Sequence, residues 1–134
     1  MKLKAASITT ALIFTIALGA GPRPRNDELL AVVLARVPEK ARAKRNPMEH
    51  NSEALAAGRK LFERHCAQCH GGSAEGSKRG PSLRDGARQA TPGELFWILK
   101  NGSKGTAMAP FIPLVLTEEE AWKVISYVRS FGRP

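Results

Sequence analysis

The stretch Arg64–Gly71, RHCAQCHG, holds both cysteines of the 134-residue chain. The two thiols stand three positions apart, and a histidine follows the second one directly. Four kinds of site use such a pair: a redox disulfide, half of a zinc site, a structural bridge and a covalent haem anchor. The remainder of the chain distinguishes among these four.

Three of the four sites fit the sequence poorly. A structural zinc site takes four protein ligands, usually as two pairs, whereas His65 and His70 are too close to the thiols to form a distant second pair and His50 is alone. A thioredoxin-like redox pair opens a helix after a strand, but this pair follows a helical segment and leads into glycines. A disulfide across two intervening residues would constrain the unfolded chain very little.

The remaining pattern, Cys-x-x-Cys-His, is typical of covalent haem attachment. Cys66 and Cys69 would each form a thioether with one vinyl group of the porphyrin, and His70 would bind the iron from one face. Gly71 and Gly72 allow the chain to turn away close to the ring. We therefore predict one covalently bound haem c, with its iron, as the cofactor, and His70 as one axial ligand.

The second axial ligand is predicted to be Met108, since a thioether stabilises ferrous iron and raises the reduction potential. Met108 stands in the Gly/Pro-rich loop GTAMAPF at 105–111, which is able to hold a side chain over a flat surface. A methionine that only fills a core is the simpler alternative. Two histidine ligands would require His65, which neighbours an anchoring thiol, or His50, which we interpret as a solvated residue.

Helical signals flank the haem motif. Apolar spacing and capping residues predict three main helices, which begin at Asn51 or Ser52, at the capping box of Thr91 and at that of Thr117. Long Gly/Pro-rich connections at 71–90 and 102–116 separate them, and loops of this length need more than a small core to organise them. The sequence therefore predicts an all-α fold around the haem.

The N-terminal third carries different signals. Residues 1–20 predict an export signal, because two lysines precede an apolar run at 5–18 that is short for a membrane span of roughly 20 residues; a retained anchor is the alternative. Residues 21–46 form a basic extension with a short amphipathic helix that begins at Asn26 and ends before Pro38. Its apolar stripe would pack on the main domain, or dock to a partner or membrane. Residues 47–134 form the haem domain.

The basic charge is concentrated before the haem motif. The chain has a net charge of +9, and residues 21–45 hold seven basic side chains against three acidic ones. Such a balance suits nucleic acid, an anionic membrane or an acidic protein. An exported chain with one tyrosine and no alternation of aromatic and basic residues argues against nucleic acid. We expect an exported, periplasmic protein that reaches the membrane only through an uncleaved N-terminus or a partner.

Several segments together resemble the class I c-type cytochromes, the small bacterial monohaem electron-transfer cytochromes and the single-haem subunits of respiratory or dehydrogenase complexes. The resemblance covers about residues 47–131. It is carried by GRKLF at 58–62, CAQCH at 66–70, GPSL at 80–83, MAPF at 108–111 and WKVISY at 122–127. It implies a cytochrome c-like fold, with about three main helices and long loops around the haem. The chain departs from the family where Pro110 stands one place later than in the usual Met-Pro pair.

The resemblance also implies roles for single residues. Gly58 would allow the first and last helices to cross closely, with Phe62 and Tyr127 packed around the crossing. The carbonyl group of Pro81 would accept a hydrogen bond from His70 and fix the orientation of the imidazole, without itself contacting the metal.

The predicted function is single-electron transfer between redox partner proteins, and not an enzymatic reaction, because no paired carboxylates or activated nucleophile accompany the haem motif. A haem subunit of a dehydrogenase or oxidase complex is one alternative, and a haem sensor or enzyme with a displaceable sixth ligand is another. Trp97 would pack on the haem or lie in the core. A solvated rim, or a surface that steers toward an acidic redox partner, is expected from four basic loop residues: Lys78, Arg79, Arg84 and Lys104.

Overall fold

The structure of the chain, a computed structural model, describes residues 26–132, so the export signal predicted at 1–20 lies outside the described residues. Within residues 26–132 the chain forms helices and loops and no strand, which confirms the all-α prediction. None of the helices in this part of the chain is long and apolar enough to cross a membrane. The helices are α1 (Asn26–Ala35), α2 (Glu39–Arg42), α3 (Ser52–His65), α4 (Ala67–His70), α5 (Leu83–Gln89), α6 (Pro92–Asn101) and α7 (Glu118–Ser130).

The three predicted main helices are α3, α6 and α7, and they begin where the capping residues indicate. The side chain of Asn51 accepts a hydrogen bond from an amide in the first turn of α3. Both predicted capping boxes are formed: the Thr91 hydroxyl accepts from the amide of Glu94 and the Glu94 carboxylate accepts from the amide of Thr91, and the same exchange opens α7 at Thr117. Each box satisfies backbone donors that the first helical turn leaves without partners.

Helices α3 and α7 cross in close contact. A Cβ atom at Gly58 would overlap the carbonyl oxygen of Lys123, so the approach of the two backbones depends on glycine at this position. The rings of Phe62 and Tyr127 meet edge-on at 5.3 Å between centroids beside the crossing. The crossing that the family resemblance implies is therefore present.

Helix α5 lies in a connection that the sequence predicts as a loop. Its segment LRDGARQ has glycine at the centre, which lowers intrinsic helix propensity. Tertiary contacts outweigh that propensity. The Leu30 side chain of α1 lies 3.4 Å from the position that a Cβ atom would take at the buried Gly86, and the guanidinium of Arg129 donates to the carbonyl of Ala90 at 2.6 Å.

The segment between α1 and α3 packs on the main helices, and we call residues 39–48 the strap. A Cβ atom at Gly93 would overlap the carbonyl oxygen of Ala41, so α2 lies directly against the first turn of α6. The Arg42 guanidinium lies 3.2 Å from the buried carboxylate of Glu94. These contacts hold the strap on α6, and the packing alternative for the stripe of α1 is supported separately by the Leu30 contact at Gly86 and the burial of Val37.

The strap also reaches α7. Asn46 is 6% exposed, and its side-chain amide donates to the carbonyl of Trp122 at 3.1 Å and to the hydroxyl of Ser126 at 2.9 Å. The Ser126 hydroxyl in turn donates to the carbonyl of Met48 at 3.2 Å. Contacts thus cross the boundary drawn at residue 46, while the division of the chain into three parts remains a prediction.

Candidate haem-binding site

The end of α3 and the single turn of α4 bring the two thiols together. The amide of Cys66 closes α3 on the carbonyl of Phe62 at 2.8 Å. The carbonyl of Cys66 then accepts from the amides of Cys69 at 3.1 Å and His70 at 2.9 Å. Residues three and four positions apart in a helical turn share one side. Both thiols are free, so the two cysteines and the histidine lie within a single hydrogen-bonded turn.

The environment of Cys66 keeps its thiol neutral. Burial raises the pKa of Cys66 to about 11, and the nearby Cys69 contributes to the rise. Disulfide exchange uses the thiolate, which is scarce at neutral pH at such a site. The raised pKa of Cys66 therefore disfavours a redox-active cysteine, whose pKa is ordinarily lowered.

The imidazole of His70 is buried and oriented. Its Nδ1 atom lies 2.9 Å from the carbonyl oxygen of Pro81. A carbonyl oxygen only accepts hydrogen bonds, so Nδ1 carries the proton and the lone pair of Nε2 is available to a metal. A Cβ atom at Gly80 would lie 3.1 Å from Nδ1 and from Cε1 of the imidazole, which shows how closely this segment approaches the ring. The contact implied for Pro81 is therefore present.

The loop after His70 is held by its own backbone. Gly76 donates to the carbonyl of His70 at 2.7 Å, and Ser77 donates to that of Gly80 at 2.8 Å. The Ser77 hydroxyl also donates to the carbonyl of Cys69 at 2.6 Å. Gly76 has a φ of +92°, and its Cβ position lies 2.6 Å from the amide nitrogen of Ser82, so glycine is required there. The segment that carries Pro81 is therefore tied back to the histidine by short-range bonds.

Met108 lies in a compact loop that follows α6. The amide of Ser103 donates to the carbonyl of Met108 at 2.8 Å, and the amide of Met108 donates to the Thr106 hydroxyl at 3.1 Å. Gly102, which ends α6, has a φ of +69°, and its Cβ position lies 2.7 Å from the carbonyl oxygen of Met108. The loop therefore closes around the Met108 backbone and leaves no room for a side chain at residue 102.

The last turn of α6 supports the other end of this loop. The amides of Phe111 and Ile112 both donate to the carbonyl of Leu99, at 2.7 and 3.1 Å. The Met108 side chain is partly buried and packs on a cluster that Leu99 and Ile112 share with residues of α6 and α7: Phe96, Ala121, Trp122 and Ile125. The position of Met108 thus depends on where α6 lies against α7.

Two apolar clusters connect the cysteine turn with the methionine loop. Cys66 belongs to a cluster with Phe62 and with residues from α7, while Met108 packs on the second cluster. Leu95 and Phe111 pack against both. Cys66 and Met108 therefore border two apolar clusters that share Leu95 and Phe111, and the side chains present, two thiols, an imidazole and a thioether, are of the types that haem c requires.

The remaining sequence candidates lie elsewhere. His50 is exposed and His65 is partly exposed on the last turn of α3. Met48 packs on the same cluster as Met108, but its backbone belongs to the strap. Trp97 is partly exposed on α6, whereas the neighbouring Phe96 is buried and stacks on Trp122 at 4.2 Å between centroids. The core position on this helix is therefore filled by Phe96.

The four basic residues predicted to lie in loops separate into two kinds, and one of them, Arg84, lies in α5 and not in a loop. Arg84 donates to the carbonyl of Ser73 at 2.7 Å and lies 5.6 Å from the centre of the Phe131 ring, so it braces the chain locally. The side chains of Lys78, Arg79 and Lys104 are exposed. The last three are the ones that remain suited to steering a partner.

Sequence reasoning missed the polar contacts that tie the strap to α6. The capping box predicts a role for Glu94 at the start of α6, but no sequence pattern predicts that Glu94 is the buried partner of Arg42. Likewise, no pattern predicts that the Lys44 ammonium lies 4.0 Å above the centre of the Phe96 ring. The one available signal is the position of Glu94, an acidic residue beside an apolar run. Burial of the apolar face of α6 also buries this carboxylate, which then needs a cation nearby.

The chain matches the family model described as cytochrome c oxidase, cbb3-type, subunit III over residues 53–128. It is 34% identical over 108 residues to a cbb3-type cytochrome c oxidase subunit CcoP of Rubrivivax gelatinosus, which covers 70% of this chain and 35% of the relative. It is 33% identical over 95 residues to the subunit FixP of Sinorhizobium medicae, covering 58% of this chain and 30% of the relative. The chain spans about a third of the length of these curated relatives.

The fold is similar to that of a solved cytochrome. The crystal structure of cytochrome cL from Methylophaga aminisulfidivorans superimposes with a TM-score of 0.57 at 28% identity, over 71% of this chain and 69% of that protein. The superposed fold is a cytochrome c fold, which agrees with the helix crossing and the cysteine turn described above.

Proposed function

This chain belongs to the family of subunit III of cbb3-type cytochrome c oxidase, a family of c-type cytochromes that bind haem covalently, and from that premise we propose that it transfers single electrons between redox partner proteins. The haem supplies a one-electron iron couple when bound. The residues of the chain attach it, orient its ligands and exclude water from it. This role needs no substrate-binding residues.

Four side chains hold the cofactor in this proposal. Cys66 and Cys69 would form the two thioethers, and His70 and Met108 would supply the two protein ligands of the iron. The carbonyl of Pro81 keeps the proton on Nδ1 of His70, which fixes the ring and increases the basicity of Nε2. A filled coordination sphere in an apolar region reorganises little when the iron changes charge, which suits electron transfer.

The observation that carries the proposal is the His70–Pro81 hydrogen bond of 2.9 Å directly after the cysteine turn. A buried histidine could satisfy itself with any acceptor, but here the bond selects the tautomer whose outer nitrogen can bind iron. The thiols stand one turn away. A disulfide gives no reason for this combination, and no group of three or more metal-ligating side chains of the kind that zinc uses occurs among residues 26–132.

A second candidate, a haem-bearing subunit of a larger oxidase, is favoured by the CcoP and FixP relatives, which carry that description in their names. Under this proposal the described domain corresponds to a third of such a subunit. The exposed cations at Lys78, Arg79 and Lys104 would then contact an acidic surface of the partner. Export to the periplasm, where both candidate functions would operate, belongs to the same proposal.

Haem attachment is tested with the full chain expressed together with cytochrome c maturation machinery. The pyridine haemochrome spectrum should be that of a haem with two thioethers, and it should shift to that of a haem with one thioether in Cys66→Ala and in Cys69→Ala. Gln68→Ala, inside the same turn, is the control and should leave the spectrum unchanged. Haem that is extracted from the parent protein by acidified solvent would contradict covalent attachment.

The two candidate functions are separated by isolation under mild conditions. A carrier should purify as a monomer that is reoxidised by several acceptors, whereas an oxidase subunit should copurify with other haem proteins. Reversal of the charges at Lys78 and Lys104 should slow electron exchange with an acidic partner most strongly at low ionic strength.

A further inference from the structure

The outer face of α1 is apolar although the helix is already packed on the protein by its inner face. The inner Leu30 side chain lies 3.4 Å from the position that a Cβ atom would take at Gly86 of α5. The outer Leu29 and Val32 are 41% and 52% exposed. A helix that is apolar on both sides is usually covered on both sides. The outer pair therefore has the composition of a contact surface.

Exposed basic side chains follow the outer pair in the sequence. Arg36 stands four positions after Val32, directly after the end of α1, and is exposed. Lys40 and Arg45 are exposed further along the chain, against exposed carboxylates at Glu28 and Glu39. In the sequence two more arginines stand before the helix, at positions 23 and 25, and Asp27 offsets one of these charges. The segment that carries the outer pair thus has a small excess of positive charge.

The preceding sequence limits what can cover this surface. The apolar run at 5–18 ends eight positions before α1 begins, so the seven intervening residues reach at most about 25 Å when fully extended. If that run is retained in a bilayer, α1 cannot lie far from the membrane surface. If the run is removed, the basic and apolar residues of α1 remain.

From this combination we propose that the outer face of α1 rests on an anionic membrane surface, with Leu29 and Val32 inserted among the headgroups and Arg36 beside the lipid phosphates. A protein partner would have to bury roughly 800 Å² on each side to form a stable interface. Two apolar side chains provide a small part of that area. Contact with a membrane surface needs less apolar area than a protein interface, because attraction between basic residues and anionic lipids adds to the apolar burial.

The proposal is tested by hydrogen exchange on the haem-loaded full chain, with the N-terminus of the purified protein determined by mass spectrometry. Amides of residues 28–36 should exchange more slowly with vesicles of phosphatidylcholine and phosphatidylglycerol than with phosphatidylcholine alone. The double variant Leu29→Ser/Val32→Ser should lose this protection. In protein whose measured N-terminus shows that the export segment has been removed, the affinity for anionic vesicles should also fall about tenfold. The matched control is Leu114→Ser/Val115→Ser, which changes an exposed apolar pair between α6 and α7. This variant should retain the protection of residues 28–36.

Three outcomes would overturn the proposal. Equal exchange of residues 28–36 with anionic vesicles, neutral vesicles and no vesicles would exclude a lipid contact. Protection that rises with protein concentration without lipid would assign the surface to a second copy of the chain. Full protection in Leu29→Ser/Val32→Ser would show that these side chains do not make the contact. The haem spectrum is independent of all three, so failure here would leave the proposed electron-transfer function standing.

Discussion

The two sides of the candidate haem site are held in different ways. On one side, His70 and the carbonyl of Pro81 that orients it are eleven positions apart in sequence, and the loop between them is tied by its own backbone. On the other side, the Met108 loop is bonded to the end of α6, and the strap packs on α6. The strap in turn contacts α7 through the hydrogen bond from Asn46 to the carbonyl of Trp122, which is 76 positions away in the sequence. One side is local and the other depends on the whole fold.

This difference has a consequence for ligand exchange at the iron. A ligand held by short-range hydrogen bonds keeps its position when distant helices shift, whereas a ligand carried by a loop between two helices moves with them. We therefore expect the Met108 side to open first under denaturant, heat or mutation. Substitutions that alter one side at a time test this expectation when each is compared with the same type of substitution at a position outside the site.

Replacement of His70 by alanine should have the largest effect. It removes a proposed iron ligand and leaves the partly buried Pro81 carbonyl without its donor, so the yield of haem-loaded protein should fall at least about tenfold. The measurement is haem content per protein after expression with the maturation machinery. His50→Ala, at an exposed histidine, should give the parent yield, and a normal yield of six-coordinate haem from His70→Ala would refute the assignment of this side.

Replacement of Met108 by leucine should preserve the packing and remove the sulfur. The reduction potential should fall on the order of 100 mV, because axial ligands set the potential of haem proteins over a wide range. Carbon monoxide should then bind rapidly to the reduced protein. Met48→Leu is the matched control, since Met48 packs on the same cluster. Equal potentials for the two leucine variants would show that Met108 is a packing residue.

Alanine at Gly102 should loosen the same ligand through the backbone. Gly102 and Gly105 both have positive φ, at +69° and +82°, but the Cβ position of Gly102 lies 2.7 Å from the Met108 carbonyl oxygen while that of Gly105 meets nothing within 4 Å. Both variants carry the strain of a non-glycine residue at positive φ, about 1–3 kcal/mol, and the ψ of −169° at Gly102 adds to it there. Gly102→Ala should weaken the methionine-to-iron charge-transfer band and speed carbon monoxide binding about tenfold more than Gly105→Ala does. Equal effects would remove the contact with Met108 as the cause.

The sequence predicts the local side of the site far better than the other side. The cysteine turn, His70 and the helix caps are encoded by residues within five positions of one another, so spacing alone indicates them. The strap is encoded by isolated polar residues such as Asn46 and Lys44, whose partners lie in α6 and α7. No short pattern relates them. Helix α5 was missed for a similar reason, because contacts to α1 and α7 stabilise a segment whose central glycine disfavours a helix.

The weakest predicted effect, and the one that bears most directly on the strap, is that of Arg42→Leu. The Arg42 guanidinium lies 3.2 Å from Glu94, whose side chain is 5% exposed while that of Arg42 is 35% exposed. Loss of the cation leaves a buried carboxylate with the Thr91 amide as its remaining donor, which should lower the free energy of unfolding by about 2 kcal/mol, less than for a fully buried pair because solvent reaches Arg42. Urea unfolding of the haem-loaded protein measures this loss.

The same variant tests whether the strap acts on the iron. Because the strap holds α6 and α6 carries the Met108 loop, Arg42→Leu should also speed carbon monoxide binding a few-fold, while haem attachment and the His70 side stay unchanged. Arg59→Leu removes the exposed pair with Glu63 on α3 and should change neither stability nor carbon monoxide binding appreciably. If Arg42→Leu lowers stability without any change in carbon monoxide binding, the strap stabilises the fold but does not position Met108. The difference between the His70 side and the Met108 side would then arise from the Met108 loop alone.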